Sequence, residues 1–107
     1  ALMSDDSQLV VPPSFVALFV EPGRIKPNAS REQILERYDY CEDLAQMLTE
    51  TASARRWALG ITEAGVLERL GRGLVGPEAG VSESEAIWVI RRLAELLGWP
   101  APDLLRS

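Results

Sequence analysis

Histidine is absent from the chain. That removes the commonest general base, the usual partner of a nucleophilic serine or cysteine, and most zinc sites. The single cysteine, Cys41, can form neither an internal disulfide nor a cysteine-rich metal site. It falls on an apolar helical stripe, where a thiol behaves as an inert core residue rather than a nucleophile. Carboxylates are plentiful, in the groupings Glu42-Asp43, Glu83 with Glu85, and Glu32 with Glu36. Paired carboxylates can hydrolyse glycosides only when an ordered cleft fixes their separation. Here each pair lies in a helix's first turn or on a predicted polar face, which reads as solvated surface. Gly71-Arg72-Gly73-Leu74-Val75-Gly76 matches G-x-G-x-x-G. A dinucleotide site needs those glycines between a strand and a helix, inside a larger parallel sheet. In this chain they follow a predicted helix and read as a helix terminator and loop. Lys26 is the only lysine and no glycine loop precedes it, so hydrolysis of ATP by a P-loop has no support. No catalytic, metal-binding or cofactor-binding residue is expected, and the chain reads as non-enzymatic.

What remains is a set of aromatic and basic residues. Arg55-Arg56 adjoin Trp57, Arg91-Arg92 follow Trp88 by one helical turn, and Trp99 lies just past the last predicted helix. Tryptophans at element ends can staple a small core. They can equally form an exposed patch that, with arginine, anchors a protein interface. On the second reading Trp57, Trp88, Arg91, Arg92 and Trp99 form the candidate interaction surface. A competing reading is a small transcriptional regulator whose last helix, carrying Arg91 and Arg92, enters DNA in the manner of a helix-turn-helix. The connector before that helix is longer than the usual tight turn, and the net charge of −5 repels a nucleic acid. A protein partner is therefore favoured over a nucleic acid.

The elements that must position these residues are helices. Ser30-Arg31-Glu32-Gln33 matches a capping box. Ile34, Tyr38, Cys41, Ala45, Leu48 and Ala52 then recur at steps of three and four and draw one stripe along a helix to about Ala54. Gly60 stops or bends the chain. Thr62 caps a second helix to about Leu70, with Val66, Leu67 and Leu70 inward. Gly71, Gly73, Gly76, Pro77 and Gly80 make a glycine-rich connector. Ser82-Glu83-Ser84-Glu85 is another capping box, opening a last helix whose inner face is Ile87, Ile90, Leu93, Ala94 and Leu97, with Gly98 as its stop. Gly60-Ile61-Thr62-Glu63 and Gly80-Val81-Ser82-Glu83 repeat one helix-start signal. Upstream, Leu9 to Pro13 reads as extended. Phe15 to Val20 fits either a short helix or a buried strand, and Phe15, Leu18 and Phe19 on one face favour the helix.

These readings predict an all-α fold: a small bundle of about three main helices with a short N-terminal apolar segment. The chain has 107 residues, one domain's worth, with residues 1–8 and 101–107 expected to be flexible. Apolar residues at 47% and charged residues at 25% indicate a globular rather than a disordered chain. The lone cysteine fits a reducing compartment. No signal peptide or span of about 20 apolar residues is visible, so a cytoplasmic, non-membrane protein is expected. A core this small can leave apolar surface uncovered, which makes a homodimer a further expectation.

Val11-Pro12-Pro13-Ser14-Phe15-Val16-Ala17-Leu18-Phe19, Pro22-Gly23-Arg24, Arg37-Tyr38 and Cys41-Glu42-Asp43-Leu44-Ala45 resemble a group of short uncharacterised proteobacterial proteins. The likeness continues through Gly60-Ile61-Thr62-Glu63 and Arg91-Arg92-Leu93-Ala94-Glu95-Leu96-Leu97-Gly98-Trp99 and so covers most of the chain. Members of that group are loosely labelled an ATPase with chaperone activity. The resemblance implies a small bacterial cytoplasmic protein. Because the matching residues include no nucleotide-binding signature, it implies a chaperone-associated helper or adaptor rather than an ATPase.

Overall fold

The computed structural model describes residues 11–100, and these are all-α, with no strand among them. A short helix α1 (Pro13–Val16) runs into a single 3₁₀ turn (Ala17–Phe19). Three main helices follow: α2 (Arg31–Leu59), α3 (Glu63–Leu74) and α4 (Glu83–Leu97), with one more 3₁₀ turn at Pro77–Ala79. The ends expected to be flexible, 1–8 and 101–107, lie outside the described residues. The chain divides into two compact units, and the boundary falls inside α2 between Tyr40 and Cys41.

In the first unit the Phe15–Val20 segment is helical rather than a strand through Phe19, and Val20 leaves it in extended geometry, with φ −110° and ψ 116°. Pro12 has φ −59° and ψ 145°, the extended geometry expected of a residue that itself precedes a proline. Pro13 then occupies the first helical position, where its missing N–H costs nothing. Phe15 is fully buried. Its ring lies 5.5 Å from Phe19 and meets Tyr38 edge-on at 5.6 Å, a favoured aromatic geometry. The capping box at Ser30 is present in both directions. The Gln33 N–H donates to Ser30 Oγ at 3.1 Å, and the Ser30 N–H donates to Gln33 Oε1 at 2.9 Å.

The second unit holds most of the core. Cys41, Ala45 and Ala52 of α2 are fully buried, as the stripe requires. The helix runs past Ala54 to Leu59, because nothing from Arg31 onward breaks it until Gly60, whose φ is +63°. Thr62 Oγ1 accepts from the Gly65 N–H at 3.0 Å and starts α3. The connector expected from Gly71 is corrected: Gly71 and Gly73 lie inside α3, and Gly71 is buried. Each helical glycine costs about 1 kcal/mol. Burying Leu74, which the extra turn adds, returns about 2 kcal/mol, an amount that matches the two glycines, and the helix persists for another turn. Gly80, with φ +73°, and the Ser82 capping box then launch α4, so the repeated start signal operates at both places.

The buried face of α4 is turned from the expected one. Ala86, Trp88, Val89, Ile90, Leu93 and Ala94 are buried, while Ile87 and Leu97 are half-buried. Four consecutive apolar residues, Ile87 to Ile90, leave the helical phase ambiguous in the sequence. At its other end α4 closes in a Schellman motif. Gly98 has φ +73°, its N–H donates to Glu95 at 3.2 Å, and the Trp99 N–H reaches back to Ala94 at 2.9 Å. An L side chain at that left-handed position costs roughly 1–2 kcal/mol. Gly73 is the opposite case, since a Cβ there would meet nothing within 4 Å. Gly98→Ala should therefore lower unfolding stability by roughly 1 kcal/mol, and Gly73→Ala should raise it by a similar amount. Urea denaturation of the two variants beside the parent checks both signs.

Candidate functional site

The last two turns of α2 carry the most exposed aromatic residue described. Every residue from Ser53 to Gly60 is exposed, and Trp57 is 87% exposed. Leu59 is also exposed. Arg55 and Arg56 precede the ring, and Arg56 Nε sits 3.9 Å from Glu63 Oε2. A helix end without tertiary cover persists here on local terms. Ala, Leu and Arg are strong helix formers, and cations in the last turn complement the helix dipole. An uncovered indole beside guanidinium groups can dock an apolar or acidic surface.

The remaining candidate residues sit in different circumstances. Trp88 is only 8% exposed, so its assignment to a surface is corrected: it belongs to the core, because the buried arc of α4 is turned toward it. Trp99 is half-buried and pinned by the Schellman motif. Arg91 is exposed. Arg92, the residue beside it, is held by carboxylates. Its Nε donates to Glu42 Oε1 at 2.9 Å, its Nη2 to Glu42 Oε2 at 3.0 Å, and its Nη1 to Glu95 Oε1 at 3.0 Å. Gln46 Nε2 adds a bond to Glu42 at 2.9 Å. A bidentate guanidinium fork spent on a carboxylate is not offered to a base edge, so the paired-arginine basis for DNA reading loses one of its two members.

Glu42 was expected on a solvated face and is instead half-buried. Burial pushes its carboxyl up, but the hydrogen bonds from Arg92 and Gln46, with the charge of Arg92, outweigh that and hold it below the ordinary value. The hydrogen bonds to Glu42 likewise raise Arg92 far above its ordinary range. The Arg92–Glu95 and Gln46–Glu42 bonds have local helical spacings, but the Arg92–Glu42 bond that joins them does not. Glu42 is fifty positions away, and no sequence periodicity links residues that far apart. Glu85 was also placed on a solvated face and is buried, with its carboxylate accepting from the Ser82 N–H at 2.9 Å. Exposed Met47 and Ile25 were not singled out in the sequence either. Among the described residues no group of His, Cys, Asp or Glu is arranged to hold a metal ion, and no helix is long and apolar enough to cross a membrane. The Cys41 side chain is fully buried.

Removing Arg92 leaves the half-buried Glu42 carboxylate with only Gln46 of these partners. Arg92→Ala should cost about 2 kcal/mol of unfolding stability. Because the folded pKa of Glu42 is depressed, its contribution is complete above the unfolded value near 4.5 and is lost as the pH falls through the folded value. Denaturation curves in acid should show the parent losing stability below about pH 4.5 more steeply than Glu42→Gln. Parallel curves would contradict the assignment.

Compared with protein-family models, with curated proteins and with solved structures, the chain matches none of them.

Proposed function

We propose that this chain is a non-enzymatic protein-interaction module, an adaptor or regulator, that docks its partner on the exposed end of α2. The observation that carries this reading is Trp57, left 87% exposed at the tip of a helix, although tryptophan is highly buried on average. Leu59 extends the apolar contact, and Arg55 and Arg56 supply the charged rim. Tryptophan and arginine are the residue types most enriched among interface anchors. The resemblance to proteins labelled with chaperone activity suits the same reading, as a helper beside a chaperone machine and without ATP chemistry of its own.

The test is a tagged pull-down from native cell extract, with and without nuclease, using the parent, Trp57→Ala and Arg91→Ala. The expected result is a stoichiometric protein that survives nuclease and Arg91→Ala. Trp57→Ala should reduce its recovery by tenfold or more, the effect of an anchor worth about 1.4 kcal/mol or more. Recovery of nucleic acid alone, lost on nuclease treatment and on Arg91→Ala, would overturn the reading and make α4 a DNA-contacting helix.

A further inference from the structure

We draw no further inference here: the strongest candidate, the apolar hollow lined by Val16, Pro27, Ala29, Ile34 and Leu35 beside the start of α2, has a single exposed cation, Arg31, among its lining residues, and nothing in the structure shows what covers it.

Discussion

The apolar seam between α3 and α4 is what the second unit depends on. Val66, Leu67, Leu70 and Leu74 on one helix and Ala86, Val89, Ile90 and Leu93 on the other are all buried. Eight such side chains contribute roughly 1–3 kcal/mol each, and Leu74 among them offsets the two glycines that would otherwise end α3 a turn earlier. The small residues have their own consequence. Gly71 and Ala86 fill so little space beside the seam that a hollow remains there, lined also by the exposed Val75 and the half-buried Ile87.

The other long-range tie is ionic. Arg92 grips Glu42 through two nitrogens and Glu95 through a third, joining α4 to α2. A half-buried bidentate pair of this kind contributes through geometry more than through raw Coulomb energy. It also divides the functions of two neighbours in sequence. Arg92 is structural, whereas Arg91 projects to solvent. A dipeptide that suggests one basic patch is split by the helical rotation of about 100° per residue.

The aromatic residues divide in the same way. Trp88 joins the core, Trp99 finishes α4, and Trp57 is left outside. The helix that carries Trp57 needs no cover at its tip, because its residues favour the helical state and Gly60 gives it a clean stop. The arrangement presents a large apolar anchor on an exposed helix end. Neither the long helix nor the seam needs that tryptophan for its own packing.

Local signals were legible in the sequence from end to end. The capping boxes at Ser30 and Ser82, the Thr62 cap, the stops at Gly60 and Gly98 and the stripe from Ile34 to Ala52 are all present where the residues placed them. Each depends on hydrogen bonds or spacing within about one turn, so the sequence by itself determined the helices and the all-α class. Tertiary packing alone decided the rest. It carried α3 through Gly71 and Gly73, because burial offset their low intrinsic propensity. It chose the phase of α4 within Ile87–Ile90, and thereby buried Trp88. It brought Glu42 to Arg92 across fifty positions, and it left Trp57 uncovered. These outcomes depend on which surfaces meet, and that is fixed only when residues distant in the chain compete for the same space.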